Sequence, residues 1–156
     1  MQTTEFIDKV NTLGAASKPF LFLIDFEMRQ PKLWLPDEID SDELLFSING
    51  FTNASAASVK KETTLQVQPI SEAAYHAKFD AVMQHLHYGN SFLANLTIKS
   101  QVEINISLKE LFYQVQAPYR CWLHNQFLFF SPESFIKIWK GKIYSYPMKG
   151  TIDASI

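Results

Sequence analysis

The chain has 156 residues, a net charge of −2 and a hydrophobic content of 47%. This length is sufficient for one domain with a core, and the composition is that of a globular protein. The 14 Lys and Arg residues are scattered along the chain, so the sequence does not support nucleic-acid binding, which requires a basic patch. The longest apolar run, Phe20–Ile24, is too short to span a bilayer. We therefore expect no nucleic-acid or membrane partner.

The compartment is predicted from the N-terminus and from cysteine usage. Residues 1–5 lack the basic and apolar regions of a signal peptide. The single cysteine, Cys121, excludes an internal disulfide and fits a reducing environment. The expected localisation is cytoplasmic.

The first 61 residues are predicted to form a helix, three strands and a loop. The helix is indicated by apolar residues at helical spacing, which are Phe6, Val10 and Leu13. Gly14 is expected to stop it. The strands are predicted at Phe20–Phe26, Lys32–Leu35 and Leu44–Ile48. We expect the second and third strands to be antiparallel neighbours of the first, and Gly50–Lys61 to be a surface loop.

An amphipathic helix is predicted after Pro69. Ser71 can cap its N-terminus and Gly89 can close its C-terminus. Its apolar stripe consists of Tyr75, Phe79, Val82, Met83 and Leu86. Phe92–Ile106 then alternates apolar and more polar residues, which predicts a strand with one buried face.

The last third is predicted to be a short helix followed by a meander. Ser107–Glu110 has the sequence of a capping box, and Pro118 ends the helix that follows. The strands of the meander are predicted at Cys121–Leu123, Phe127–Phe130, Phe135–Trp139 and Lys142–Tyr146. This order favours an α+β fold, mostly antiparallel sheet with flanking helices, over a doubly wound parallel sheet.

Most residues of chemical interest are better explained by structure than by catalysis. His85 and His87 point in different directions on a helix, so they do not predict a shared metal. Cys121 lies in an apolar strand and is interpreted as a packing residue. The acidic residues between Asp37 and Glu43 lack the ligand order of a calcium loop. No metal site is predicted in this chain.

Lys149 is the exception. The strand before it ends at Pro147, which cannot continue a ladder, and Gly150 after it permits unusual backbone conformations. An amine at a strand end is placed where active sites are often built, and it becomes a nucleophile if burial lowers its pKa. From spacing alone, a solvent-facing lysine in a turn remains the alternative.

Four collinear segments resemble one enzyme family. Tyr146–Thr151 looks like its Pro-Ile-Lys-Gly-Thr motif, and Gly89–Thr97 resembles Gly-Asp-Ile-Tyr-Gln-Val-Asn-Leu-Thr. Pro118-Tyr119 matches a Pro-Tyr or Pro-Phe pair, and Ser131–Phe135 matches Ser-Pro-Glu-x-Phe. These are motifs of chorismate-utilising enzymes, in particular aminodeoxychorismate synthase component I, also called para-aminobenzoate synthase component I.

The resemblance implies a specific activity. Such enzymes bind chorismate with Mg²⁺ and replace its C4 hydroxyl by an amine on the folate route. Lys149 aligns with the lysine that attacks C2, while Gly150 and Thr151 would line the same pocket. A glutamine amidotransferase partner would supply the ammonia. Anthranilate synthases carry alanine at the lysine position, so the resemblance favours the aminodeoxychorismate branch.

The sequence also departs from the family pattern. Leu93 replaces the usual Gln, and Asn90 replaces the usual Asp. The family's magnesium-binding glutamates lie beyond the lysine motif, so the resemblance implies that residues 1–156 are a single incomplete domain, the N-terminal part of the fold. Such a chain is expected to be inactive alone and to self-associate through exposed sheet edges. An anthranilate or isochorismate synthase type of enzyme, or a non-catalytic binding or assembly module, remains the alternative.

Overall fold

The computed structural model describes residues 1–55, 61–131, 134 and 136–146. The helices are α1 (Thr3–Ala15), α2 (Glu72–His87) and α3 (Leu108–Gln114), with a 3-10 turn over Pro36–Glu38. The strands are β1 (Leu21–Leu23), β2 (Lys32–Trp34), β3 (Leu44–Ile48), β4 (Phe51–Thr52), β5 (Leu65–Gln68), β6 (Gln101–Ile104), β7 (Tyr119–Leu123), β8 (Phe127–Ser131), β9 (Ile136–Trp139) and β10 (Lys142–Ser145). All strand pairs are antiparallel. The α+β prediction is confirmed.

The chain divides into two compact units. The first unit is Met1–Val59 with Leu108–Ile156, and the second unit is Lys60–Ser107. In the part of the chain that the structure describes, we find no helix with both the length and the apolar character needed to cross a membrane.

The first unit is organised around a four-stranded sheet of order β4-β3-β7-β8. Its β3 strand is buried from Leu44 to Ser47, and the register pairs Leu44 with Leu123 and Leu45 with Trp122. Because neighbouring side chains alternate between the two faces of a strand, β3 contributes to two clusters. One contains Leu44, Cys121 and Leu123, packed against β1 and β2 residues; the other contains Leu45, Phe112 and Trp122.

Two predicted pairings in the first unit are wrong. Leu44–Ile48 does not pair with the strand near Phe20; it pairs with β7 on one side and with β4 on the other. The β1–β2 hairpin packs onto the core instead of joining its sheet. The predicted meander is divided into a β7–β8 hairpin and a β9–β10 hairpin, which belong to separate sheets. Sequence proximity predicted the hairpins, but it overestimated how far each sheet continues.

The side-chain amide of Asn53 continues the hydrogen bonding along β3 where β4 ends. The short β4 strand pairs only with Ser47 and Ile48, and the Asn53 side chain takes over beyond them. Its Oδ1 accepts from the Phe46 N–H at 3.0 Å, and its Nδ2 donates to the Leu44 carbonyl at 2.8 Å. Asn53 therefore satisfies the edge of β3 that β4 leaves open.

The second unit contains the antiparallel pair of β5 and β6, with α2 between these strands in the sequence. The Ser71 hydroxyl caps α2 by accepting from the Ala74 N–H at 3.3 Å, as predicted. Gly89, at φ +84°, follows the end of α2, where its N–H donates to the Leu86 carbonyl at 3.0 Å. This confirms the predicted C-terminal stop.

The strand predicted over Phe92–Ile106 is correct only at β6. Residues 92–100 form no ladder, and Phe92 and Leu93 are 99% and 87% exposed. Their alternating pattern is that of a strand, but a strand is stable only with a hydrogen-bonded neighbour. The partner of β6 is β5, which the sequence analysis did not predict.

Candidate functional site

The lysine motif itself lies outside the described residues. Lys149, Gly150 and Thr151, together with Pro147, fall in the range 147–156, and Pro132, Glu133 and Phe135 are likewise not described. Their predicted roles stay predictions. The structure does describe the hairpin that leads into the motif, the Pro118-Tyr119 pair and the Gly89–Thr97 segment.

The β9–β10 hairpin is closed by a tight turn. Lys140 and Gly141 have φ values of +49° and +71°. Positive φ at both central residues is the requirement of a type I′ turn, whose twist matches that of the flanking strands. The register pairs Lys142 with Trp139 and Ser145 with Ile136. The turn therefore sets the register of β10, which ends four residues before Lys149.

The two faces of this hairpin differ in chemistry. Ile136, Ile138 and Ile143 share one face, opposite Ser145, and are 49%, 70% and 71% exposed. We call this the isoleucine face. The other face carries Lys137, Trp139, Lys142 and Tyr144.

The aromatic and basic face is organised by Trp139. The ammonium groups of Lys137 and Lys140 lie 5.7 and 5.8 Å from the centre of the Trp139 ring. These distances are within the range of cation–π attraction. Its charged groups make this face compatible with water, whereas the isoleucine face is apolar apart from Ser145.

The Pro118-Tyr119 pair holds a turn of the core sheet. The Pro118 carbonyl accepts from the Asn49 N–H at 2.8 Å, and the Tyr119 hydroxyl accepts from Asn49 Nδ2 at 2.7 Å. Asn49 and Gly50, at φ +48° and +89°, form the turn between β3 and β4. The motif residues are therefore anchored to the four-stranded sheet that contains the buried residues of β3 and β7.

Arg120 fixes α3 against the same sheet. Its Nη1 donates to the Phe112 carbonyl at 3.2 Å and to the Val115 carbonyl, both at the C-terminal end of α3. The guanidinium carbon also lies 5.0 Å from the centre of the Phe112 ring. A cation at a helix C-terminus complements the unsatisfied carbonyls and the helix dipole, so Arg120 acts as a structural cap.

The Gly89–Thr97 segment is joined to the end of α2 at its start. The Asn90 backbone N–H donates to the His85 carbonyl at 3.0 Å, and the Asn90 side chain lies 2.8 Å from His85 Nδ1. Beyond this point the segment belongs to no helix or strand and is largely exposed. Asn90, which departs from the family's usual Asp, thus has a local role in ending α2.

The other candidate residues have structural roles. Burial raises the pKa of the Cys121 thiol to about 11, so it is protonated near neutral pH; the interpretation of Cys121 as a packing residue is confirmed. In the acidic segment, Asp42 accepts from the Lys109 ammonium at 2.6 Å, and this hydrogen bond lowers the pKa of the Asp42 carboxyl. Within residues 1–55, 61–131, 134 and 136–146, no group of three or more His, Cys, Asp or Glu side chains could hold a metal ion.

Two features of the structure were not predicted, although the sequence contains a pattern that indicates each of them. Asn49-Gly50 is a typical type I′ turn dipeptide between apolar runs, yet the segment was predicted as a loop. The isoleucine face follows from alternation in two short strands, but it requires the register of the hairpin. Asn53 carries no such signal, because its role depends on where β4 ends.

Comparison with known proteins identifies the family. The family model for chorismate binding enzymes matches residues 22–155. An uncharacterized PabA-like protein of Pasteurella multocida is 40% identical over 158 residues, which cover 100% of this chain and 49% of that protein. An uncharacterized PabA-like protein of Haemophilus influenzae is 37% identical over 151 residues, which cover 97% of this chain and 46% of that protein.

The chain thus spans about half the length of these curated relatives. No solved structure matches it. The family model covers both the core sheet and the hairpin that leads into the lysine motif. The chain belongs to the chorismate binding enzyme family.

Proposed function

We propose that this chain is part of an aminodeoxychorismate synthase component I, which aminates chorismate at C4 to give 4-amino-4-deoxychorismate. The observation that carries the proposal is a lysine, Lys149, at the centre of a family motif in a chain that the family model matches almost throughout. The PabA-like names of the two relatives agree with a role connected with para-aminobenzoate.

The proposed chemistry is nucleophilic catalysis by Lys149. Its neutral amine forms a bond to C2 of chorismate, the ring double bonds shift, and the C4 hydroxyl leaves as water after protonation. Ammonia then forms a bond to C4, the double bonds shift back, and the lysine is released from C2. Gly150 and Thr151 line the pocket. A neutral lysine near physiological pH requires burial or a neighbouring cation.

Two further components complete the proposed activity. A glutamine amidotransferase partner supplies ammonia, and Mg²⁺ binds to the family glutamates that are expected beyond the lysine motif. Because no described cluster of side chains fits a metal ion, no step is assigned to Mg²⁺ here.

The proposal is tested by removing the Lys149 amine. We define the joined chain as these 156 residues fused to the half of the P. multocida relative that the match leaves uncovered. With chorismate, ammonia and Mg²⁺, the joined chain is expected to form 4-amino-4-deoxychorismate, and Lys149→Ala is expected to lose this activity. Lys142→Ala, a change of an exposed hairpin lysine, is the matched control.

Other outcomes separate the alternatives. Amination retained by Lys149→Ala removes Lys149 from the nucleophile role. Anthranilate or isochorismate as the product assigns the chain to a different branch of the family. Chorismate binding without any product favours a non-catalytic module.

The 156 residues alone are proposed to be inactive and to self-associate. The β5–β6 pair is a two-stranded sheet in which every residue of β5 is exposed, and unpaired strand edges favour association between copies. Light scattering checks this point, and a monodisperse monomer would contradict it. Turnover by these residues alone would contradict the predicted inactivity.

A further inference from the structure

Helix α1 is anchored on the β1–β2 hairpin, outside the two core clusters. Phe6 is the one buried residue of α1, and its ring lies 6.0 Å from the ring of Phe22 in β1, edge towards face. The Thr3 hydroxyl donates to the Met28 carbonyl, in the loop after β1, at 3.1 Å. Phe6 belongs to neither of the clusters that form the core. The helix is therefore held mainly by one aromatic side chain on an outer element.

The chain reverses direction between α1 and β1 through a helix cap that contains an unfavourable residue. The Ser17 N–H donates to the Gly14 carbonyl at 3.0 Å, and the Lys18 N–H donates to the Leu13 carbonyl at 2.9 Å. These two bonds define a Schellman motif, in which the residue in the left-handed conformation is typically glycine. Here Ser17 occupies that position at φ +52°, where a side chain is disfavoured. The reversal is therefore under strain.

A strained reversal beside a weakly anchored helix favours the exchange of that helix between copies. We propose that α1 exchanges between two copies of this chain, so that the helix of each copy packs on the β1–β2 hairpin of the other. Residues 16–19 act as the hinge and, when extended, span up to about 14 Å. The partner is a second copy of this chain, and the segment that docks is its α1.

Each copy already carries what favours this exchange over the docking of an unrelated polypeptide. The surface of the hairpin that contacts α1 fits the same helix from a second copy, so the contacts of Phe6 and Thr3 are regained. Straightening the hinge also removes the left-handed conformation of Ser17. An unrelated segment would have to displace α1 without either advantage. The exchanged dimer also differs from association through the β5–β6 edges, which belong to the second unit.

The strain in the hinge gives the first test. Ser17→Gly relieves the strain only in the closed monomer, so it is expected to raise the dissociation constant of the exchanged dimer about tenfold through the combined effect of two hinges. Ala16→Gly is the matched control, because Ala16 has φ −82° and ψ 1°, a conformation that does not require glycine. Light scattering of the 156-residue chain over a range of concentrations measures both variants.

Cross-linking between copies gives the second test. Chains with Thr3→Cys are mixed with chains with Met28→Cys, and a short bismaleimide joins thiols that lie close together. The exchanged dimer predicts a cross-link between the two variants, because Thr3 of one copy contacts the loop at Met28 of the other. Ile143→Cys replaces Met28→Cys in the control mixture, since Ile143 is also exposed, at 71% against 62% for Met28. The native Cys121 is buried and reacts slowly.

Three results would overturn the proposal. The first is a chain that stays monomeric at every concentration. The second is an equal effect of Ser17→Gly and Ala16→Gly on the dimer. The third is a dimer in which Thr3→Cys and Met28→Cys cross-link between copies no more than the control mixture does, because association then uses another surface. None of these measurements involves chorismate or Lys149, so their outcome is separate from that of the activity assay.

Discussion

The two units of this chain have similar apolar sequence patterns, but they differ in how far the apolar side chains are buried. In the first unit, Leu44, Leu45 and Phe112 are fully buried, and the β3 and β7 strands form the centre of a packed core. In the second unit, α2 contains no buried residue. Ile106 is the only buried hydrophobic side chain among the described residues from 61 to 107.

This difference shows that an apolar sequence pattern and the surface that buries it are separate requirements. The α2 stripe was predicted correctly from its spacing, yet Tyr75 and Phe79 remain 43% and 42% exposed. Periodicity identifies the face that is suited to burial, but it does not supply the surface that covers it. In the first unit, the core sheet has a matching surface packed on it, whereas α2 of the second unit and the β9–β10 hairpin have exposed apolar residues.

The largest expected effect comes from matched phenylalanine truncations. Phe112→Ala should lower the free energy of unfolding by about 3–5 kcal/mol, because Phe112 is fully buried. Phe79→Ala, on the exposed stripe of α2, should change it by less than about 1 kcal/mol. Urea unfolding followed by circular dichroism and by tryptophan fluorescence measures both. Equal losses would show that the second unit has a core of its own.

Matched asparagine truncations test the edges of the sheets. Asn53→Ala removes two hydrogen bonds to the β3 backbone and should cost about 1–2 kcal/mol, because these groups are partly buried. Asn105 makes the corresponding bonds to the Thr64 N–H and the Glu62 carbonyl in the second unit, but at an exposed position. Asn105→Ala should therefore cost less. The same unfolding experiment ranks them, and the reverse order would contradict the comparison.

The thiol in the first core gives a pH-dependent test. Burial raises the pKa of Cys121 in the folded chain from 9.0 to about 11. Between these values the unfolded chain loses the thiol proton and the folded chain retains it, so the free energy of unfolding should fall as the pH rises from 9.0 to about 11. Cys121→Ala should lack this component. An unchanged pH dependence in that variant would contradict the burial of the thiol.

The smallest expected effect concerns the exposed Asp42–Lys109 pair. The Lys109 hydrogen bond lowers the pKa of Asp42, so the stabilisation it gives is present above the ordinary carboxyl pKa and is lost as the pH falls through the lowered value. Lys109→Ala should raise the pKa of Asp42 in an NMR titration. Asp25 is the control, because its pKa is lowered mainly by the Gln30 backbone N–H. An unshifted Asp42 would contradict the pairing.

The parts of the fold that depend on near neighbours could be predicted from the sequence. The Ser71 cap, the stop at Gly89 and the Lys140-Gly141 turn each depend on residues a few positions apart, and the structure contains all three. Pairing of β3 with β7 joins residues more than 70 positions apart, such as Leu45 and Trp122. Such contacts depend on the packing of the whole core, so the local pattern assigned β3 to the wrong neighbour.

The candidate site shows the same division. The resemblance to chorismate enzymes followed from short motifs, and the family match confirms it. The contact of Pro118-Tyr119 with the β3–β4 turn could not be predicted from the motif, because it depends on the position of Asn49, which is distant in the sequence. The strand pattern after Gly89 predicted a paired strand, but residues 92–100 have no ladder in this structure. Lys149 itself is assigned by resemblance, and its role is the central proposal.

The most direct test of that role is to trap the covalent intermediate. The joined chain is incubated with chorismate and Mg²⁺ without ammonia, so that the step that releases the lysine cannot occur, and is then analysed by peptide mass spectrometry. The account predicts a mass increase of chorismate less one water on Lys149, and none in Lys149→Ala. An adduct on another residue, or normal amination by Lys149→Ala when ammonia is restored, would contradict it.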